Sequence, residues 1–576
     1  MSGFARSLRR RPVPPAPDLG HLPPLLARVY AARGVSSAAE LELRPDRLIP
    51  PATMKNIDAA AERVHRAIEA GERILIVGDF DADGATSVAM GLDALRRMGA
   101  ANVDYLVPNR FEYGYGLTPE IVELAQPRAP RLIITVDNGI SSIDGVAAAK
   151  ARGIDVVVTD HHLPGSRLPE AQVILNPNQE GCPFPSKALA GVGVMFYLLL
   201  QLRARLREAG WFAARGIAEP NLATYLDLVA LGTVADVVPL DRNNRILVEG
   251  GLARMRRGQA RPGIAALLSV AGRDPRQLVA ADLGFAVGPR LNAAGRLDDM
   301  AIGIECLLCE DPQRAREMAL VLDSMNRERR RIGQDMEDQA LRALEGIEVD
   351  RARLPPALVL FNEDWHQGVV GILASRIKER YHRPVIAFAD TGEGMLKGSG
   401  RGLAGLHLRD LLDRVATENP GLIERFGGHA MAAGLSLPRA HFDAFVEAFC
   451  AVTAVAGAAE LEPVLETDGA LEAADFDLAI AEALRRAGPW GQHFPEPLFD
   501  GEFEVLSQRL VGERHLKLSL AYPGVPQPLE AIAFSVDTQR WPDDSARRLS
   551  LAYRLDVNEY RGVRRLQLLV EQLEPA

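Results

Sequence analysis

Short runs of branched apolar residues that end in aspartate constrain this chain more than any other feature. RILIVG (73–78) runs into Asp79, Phe80, Asp81, Ala82 and Asp83; RLIITV (131–136) runs into Asp137 and Asn138; IDVVVT (154–159) runs into Asp160, His161 and His162. LVALGTVA (228–235) reads as a fourth strand of this kind, ending at Asp236. Ala- and Leu-rich helical stretches lie between these runs. Buried parallel strands alternating with helices have this grammar, so residues 56–322 are expected to form a doubly wound α/β sheet. In such sheets ligands sit beyond the carboxyl ends of the strands, and the acids should converge there.

One aspartate at a strand end is most often the N-cap of the next helix. Four in succession, one followed by two histidines, exceed that explanation. Uncompensated, such carboxylates would repel one another, and cations remove the cost. Carboxylates with one or two imidazoles are hard ligands that suit Mn²⁺ or Mg²⁺. Two ions roughly 4 Å apart would clamp the attacking and leaving oxygens of a phosphoryl centre, so the reaction class is two-metal phosphoester hydrolysis. No P-loop, serine elbow or kinase motif competes with it. Cys306 and Cys309 have metal-like spacing, but their apolar helical context and the lack of a second pair make them core thiols. The run MFYLLL (195–200) is core as well.

The remaining chain divides by composition. Residues 1–55 form a lead segment. DSMNRERRRIGQDMEDQALRAL (323–344) is polar and unbroken, so 323–350 is expected to be a solvent-exposed connecting helix. A second α/β unit follows Pro355 and Pro356 and spans 351–455. Residues 456–499 read as an acidic connector, with nine acids against two bases from 460 to 499. Residues 500–576 carry short alternating runs with frequent turns, which suggests a small β-barrel of the OB type. The connector matters for the substrate. The whole chain has 66 Lys and Arg against 76 Asp and Glu, a balance that argues against a nucleic-acid partner until most of the deficit is located there. An Arg- and Pro-rich N-terminus without an apolar core, no apolar run of membrane-spanning length and only four cysteines point to a cytoplasmic protein with no membrane partner.

The ordered set GDFDADGATS (78–87), TVDNGISS (135–142), TDHH (159–162) and LGTVADVVPL (231–240) resembles the DHH phosphoesterase superfamily. PNRFEYGYGL (108–117), GPRLNAAGRLDD (288–299), WHQGVVGILASRIKER (365–380), KGSGR (397–401) and FGGHAMAAG (426–434) extend the resemblance to its DHHA1-containing branch of bacterial single-strand-specific 5′→3′ DNA exonucleases. The resemblance implies metal ligands at Asp81, Asp83, Asp137, His161 and Asp236. It places Asp79, Asp160 and Asn138 in an outer shell and turns His162 toward the scissile phosphate. Many superfamily members have histidine where this chain has Val77.

DNA contacts are expected from Arg110, Arg290, Arg296, Lys397, Ser399, Arg401 and His429, with the glycines of KGSGR and FGGH letting backbone N–H groups approach a phosphate. Bland readings stand beside these: structural ion pairs for Arg290 and Arg296, a turn cap for Ser399. Tyr113, Tyr115 and Trp365 could stack bases, the core being the alternative for Trp365. The implied fold is an α/β multidomain chain: a DHH sheet domain, a long linker helix, a DHHA1 domain and a C-terminal OB-like barrel. The implied activity is release of mononucleotides from single-stranded DNA in recombination and repair, by a monomer in the bacterial cytosol or nucleoid. A RecQ-type helicase and single-strand binding protein are the implied partners. The rivals are a DHH oligoribonuclease or cyclic-dinucleotide phosphodiesterase, which generally lacks an OB-like addition, and a non-catalytic Cdc45-like scaffold, which loses the acidic ligands. An inorganic pyrophosphatase would leave the later motifs without purpose.

Overall fold

A computed structural model describes residues 6–15, 19–109, 113, 115–344, 354–392, 394–428, 430–456, 461–560 and 562–576. The lead segment contains a short strand, β1 (Ser7–Arg10), and a helix, α1 (Pro24–Ala31). Next comes a five-stranded parallel sheet made of β2 (Ile74–Gly78), β3 (Val103–Leu106), β4 (Leu132–Val136), β5 (Asp155–Thr159) and β6 (Val173–Leu175), in the order β3-β2-β4-β5-β6. Gly78 pairs with Val136, and Val136 with Thr159. The next residues, Asp79, Asp137 and Asp160, therefore leave the sheet side by side.

Five helices complete the surroundings of this edge: α2 (Ala82–Arg97), α3 (Gly191–Glu208), α4 (Leu226–Ala235), α5 (Gly288–Leu297) and α6 (Pro312–Leu344). The expected fourth strand at 228–235 is in fact α4, and Asp236 is its C-cap. A short apolar run buried on every side has no periodicity, so spacing cannot separate strand from helix there. The connecting helix also differs from expectation. It starts at Pro312, where Asp311 accepts hydrogen bonds from the N–H groups of Gln313 and Arg314. It is not a solvated rod, because Ala315, Ala319, Leu322, Asp323, Asn326, Gly333, Met336, Ala340 and Leu344 form a buried stripe.

The second unit is a mixed sheet of β7 (Leu358–Phe361), β8 (Val385–Asp390), β9 (Met395–Arg401), β10 (Arg425–Gly428) and β11 (Ala432–Pro438), in the order β10-β11-β9-β8-β7. Among the helices that accompany it are α7 (Val370–Tyr381) and α8 (Leu408–Glu418). KGSGR is thus part of a central strand with ladder partners on both sides, β8 and β11. Its backbone N–H groups serve the sheet and form no glycine cradle. The glycines answer to packing: a Cβ on Gly398 would meet Phe388 at 2.5 Å, and one on Gly400 would meet Leu408 at 2.9 Å.

The C-terminal portion holds β12 (Val464–Thr467), α9 (Leu478–Arg486) and a closed barrel of β13 (Phe499–Val511), β14 (His515–Ala521), β15 (Leu529–Ala533), β16 (Arg548–Tyr560) and β17 (Val563–Pro575), in the order β13-β14-β15-β17-β16. A five-stranded barrel with this closure is the OB arrangement. The acidic stretch before it is not a solvated linker. β12 pairs in parallel with β1, and the acids meet N-terminal arginines: Arg9 to Glu466 at 2.7 Å, Arg11 to Asp468 at 3.3 Å, and Arg33 to Asp468 at 2.8 Å. One continuous apolar core joins Leu25 and Val29 of α1, the helices over the first sheet, Leu484 and Phe494, and barrel residues such as Leu518 and Tyr553.

Candidate metal centre and phosphate-binding face

The loop after β2 bends straight into α2. Asp81 is the N-cap of that helix, its Oδ1 accepting from the N–H groups of Asp83 (2.9 Å) and Gly84 (3.0 Å). Asp83 is fully buried and points to the start of α3, where the N–H groups of Gly191 and Val192 donate to its two oxygens at 2.6 and 2.9 Å. Gly191 permits this approach, since a Cβ there would lie 2.6 Å from Asp137 Cβ. Asp137 has φ of 61°, and Val237, directly after Asp236, has φ of 62°. Left-handed backbone is strained for any non-glycine residue, a β-branched one above all, and is retained where the fold fixes a group in place.

These elements bring Asp81, Asp83, Asp137, His161 and Asp236 together with Asp79 and Asp160. Possible ligand atoms of Asp83, His161 and Asp236 lie within 4.8 Å of one another, as do those of Asp79, Asp81 and Asp137, and those of Asp137, Asp160, His161 and His162. His161 Nε2 is 3.1 Å from Asp137 Oδ1 and 3.4 Å from Asp236 Oδ2. Both oxygens are buried and accept no hydrogen bond. Burial, then the charge of Asp81, pushes Asp83 up to about 7. Asp137 and Asp236 are driven well above the usual carboxylate range by burial and then by Asp83 and Asp81. Convergent buried carboxylates with open lone pairs fit hard divalent cations, whose charge would return them to the ionised form.

Asp160 behaves differently. Its Oδ1 accepts from His161 N–H (2.7 Å), His162 N–H (3.1 Å) and His162 Nδ1 (2.7 Å), and its Oδ2 accepts from Ile140 N–H (2.9 Å). Burial raises this carboxyl, but the hydrogen bond and charge of His162 more than offset that and hold it down at about 2. Burial correspondingly lowers His162, while Asp160 outweighs it and leaves the ring raised. Asp160 thus orients His162. Asn138 sits under the site and donates to the carbonyls of Val77 (3.1 Å) and Val136 (2.9 Å), tying β2 to β4.

Residues not singled out in the sequence complete the frame. Asn176 donates to the His162 carbonyl at 2.9 Å and Asn178 to the His161 carbonyl at 2.6 Å. Their signal is the NPN triplet just after β6, a polar turn following an apolar strand. Asn292 of α5 accepts from Ala82 N–H at 2.7 Å. The Tyr115 hydroxyl donates to the Asp137 carbonyl at 3.0 Å, and its ring meets His162 edge-on.

Among the expected DNA-contacting residues, Ser399 and Arg401 share one face of β9, with Arg401 Nη1 donating to Ser399 Oγ at 3.1 Å. They abut the first turn of α7, since a Cβ on Gly371 would lie 2.8 Å from Ser399 Oγ and 2.9 Å from Arg401 Nη2. Arg296 reaches the same place and donates to Gly368 O at 3.1 Å. Lys397 is exposed on β9. Arg290 is buried in an ion pair with Asp323 at 2.8 Å, the structural role weighed as its alternative. Arg110 and His429 lie outside the described residues. Trp365 is buried and donates to Gln339 at 2.8 Å, so it belongs to the core. Tyr113 is partly buried against the cluster beneath the first sheet. Cys306 is a buried free thiol, pushed up to about 12 by burial and then by Cys309.

The fit to cations predicts a thermal signature. Mn²⁺ at about 100 times its dissociation constant should add about 2.7 kcal/mol to the unfolding free energy of the metal-free chain. Differential scanning calorimetry with and without a chelator reads this, and an unmoved transition at millimolar Mn²⁺ contradicts it. Among the described residues no helix is long and apolar enough to cross a membrane.

Residues 73–233 match the DHH family N-terminal domain, residues 355–454 the DHHA1 domain and residues 467–572 the RecJ OB domain. The single-stranded-DNA-specific exonuclease RecJ of Dickeya dadantii is 59% identical over 569 residues, which is 99% of each chain. Its counterpart in Escherichia coli is 56% identical over 570 residues, again 99% of each. The crystal structure of RecJ from Thermus thermophilus in complex with Mn²⁺ is 30% identical, with a TM-score of 0.80 over 99% of this chain and 79% of that one. Identity at this level along the full length, with all three domain models matched in order, makes the chain a member of the RecJ family of DHH phosphoesterases.

Proposed function

We propose that the chain is a metal-dependent, single-stranded-DNA-specific exonuclease that works from the 5′ end, releases mononucleotides and serves DNA recombination and repair in the bacterial cytosol. The observation that carries this reading is the pair of buried, unsatisfied oxygens on Asp137 and Asp236, set around His161 Nε2 at the end of the first sheet. Asp81, Asp83, Asp137, His161 and Asp236 would hold two divalent ions, Mn²⁺ or Mg²⁺. When bound, such ions would supply Lewis-acid polarisation of a phosphodiester and activation of water at neutral pH.

The chain's own side chains do the rest. Asp83 stays fixed because two helix N–H groups hold it. Asp160 aims His162, whose remaining ring nitrogen faces the scissile phosphate. Ser399, Arg401 and Arg296, gathered at the start of α7, hold the 5′-phosphate, a role suited to the bidentate geometry of arginine. Arg401→Ala should therefore cut the preference for 5′-phosphorylated over 5′-hydroxyl strands about tenfold, the loss of one charge-assisted contact. Equal preference in mutant and wild type would contradict that role. A RecQ-type helicase and single-strand binding protein fit as partners that open and present single strands.

Substrate form tests the reading. Single-stranded DNA should be degraded in Mn²⁺ at rates well above blunt duplex or RNA of the same sequence. Equal rates on blunt duplex would remove the claim of strand selectivity.

A further inference from the structure

We propose that Arg329 of α6, held by Asn326, forms a binding site for one backbone phosphodiester of the substrate strand where α5, α6 and α7 meet. This rests on the single-strand reading above and adds to it a contact on the connecting helix.

The buried stripe of α6 fixes the location. Asp323 takes the guanidinium of Arg290 from α5 at 2.8 Å. Further along, Gly333 lies against Val369, where a Cβ would sit 3.5 Å from Val369 Cγ1, and Glu337 pairs with Arg376 of α7 at 2.6 Å. Residues three and four apart share a helix face, so Asn326 and Arg329 lie between the α5 contact and the α7 contact. Arg296 of α5 reaches Gly368 there, and α5 also touches the metal loop through Asn292 and Ala82.

Each of the two side chains keeps one donor without an acceptor. Asn326 is 1% exposed, its Oδ1 accepts from Arg329 Nη2 at 3.0 Å, and its Nδ2 makes no hydrogen bond. Arg329 Nε is likewise buried and unsatisfied. Among the described residues no carboxylate forms an ion pair with Arg329, whereas Arg290 and Arg376 on either side each have one. Burial, then the charges of Arg330 and Arg376, pushes Arg329 down to about 10, so it remains a cation at neutral pH. A half-buried guanidinium next to like charges and lacking a counter-ion is costly in an isolated fold. A phosphodiester supplies the missing charge, with oxygens that match a planar guanidinium.

The test measures steady-state cleavage of 5′-phosphorylated oligothymidylate by the full chain in Mn²⁺, together with the salt dependence of binding followed by fluorescence anisotropy. Arg329→Met should raise KM about tenfold with kcat within about twofold of wild type, and should flatten the slope of log affinity against log salt by roughly 0.7. Arg329→Lys should restore the slope and only part of the affinity. Asn326→Asp gives Arg329 an internal carboxylate, so KM should rise while the thermal midpoint stays or increases. Wild-type KM and salt slope in Arg329→Met, or in a folded Asn326→Asp, overturn the site. A lowered midpoint with an unchanged slope makes Arg329 structural and overturns it too. If the wild-type chain leaves oligothymidylate intact, the functional reading fails instead, and the salt slope of binding still decides the phosphodiester site.

Discussion

Asp137→Ala is expected to lower single-strand cleavage by on the order of 1000-fold, about 4 kcal/mol of barrier, while single-strand binding at moderate salt stays within a few-fold of wild type. The carboxylate lies at the junction of two of the possible ligand groups, and its Oδ1 is buried with no hydrogen bond to satisfy it. In the proposed assignment it would hold cations and make no favourable contact with an anionic strand. Alanine alone confounds this with backbone strain, because residue 137 has φ of 61°. Asp137→Asn separates the two, since asparagine tolerates the left-handed region. It should be as inactive as the alanine variant. In chelator it should also melt above wild type, because it deletes a carboxylate that burial and the charges of Asp83 and Asp81 hold far from its ordinary range. Activity lost together with metal-free stability gained marks a residue retained for chemistry. Near-wild-type turnover in Asp137→Asn would show the ligand assignment to be wrong.

Asp468→Ala should destabilise the whole chain by about 3–5 kcal/mol, the cost of leaving one member of a buried ion pair behind. Both Asp468 and Arg33 have side chains 1% exposed, joined by two contacts of 2.8 and 2.9 Å. Asp468 also accepts from Leu498 N–H at 3.0 Å, so removing it strands a guanidinium and an amide together. Equilibrium denaturation in urea measures this, and a change under about 0.5 kcal/mol would mean that the pair is an ordinary surface contact. The position gives the result its meaning. Asp468 ties the lead segment to the stretch that feeds the barrel, and the same core runs beneath both. Cutting the chain at 460 to remove the barrel would expose that core, so loss of function in such a truncation would report misfolding as much as lost strand binding.

The catalytic edge is legible in the sequence because it depends on local order. Three apolar strands end in aspartate at matched register, and that alone brings Asp79, Asp137 and Asp160 together. Asp236 is legible as a member of the cluster, though not as a helix terminus, since α4 is apolar on all faces. Features that depend on distant partners are hidden. The acids of the connector look solvated until Arg11 and Arg33, more than 400 positions earlier in the chain, are seen to pair with them. Gly398 and Gly400 look like a phosphate loop until Phe388 and Leu408 are found where their side chains would be. Arg290 matches a motif yet pairs with Asp323, while Arg329, three residues beyond Asn326 on the same helix, carries no signal in the sequence alone.

The proposed reaction is metal-dependent cleavage of single-stranded DNA from its 5′ terminus, at the end of the first sheet. A cleavage time course on one oligonucleotide, labelled in parallel at its 5′ or its 3′ end and started with Mn²⁺, tests it most directly. Expected are immediate release of the 5′ label as mononucleotide, persistence of the 3′ label on shortening products, and no cleavage in chelator. Early release of the 3′ label, or internal cuts that yield long labelled fragments, would contradict it.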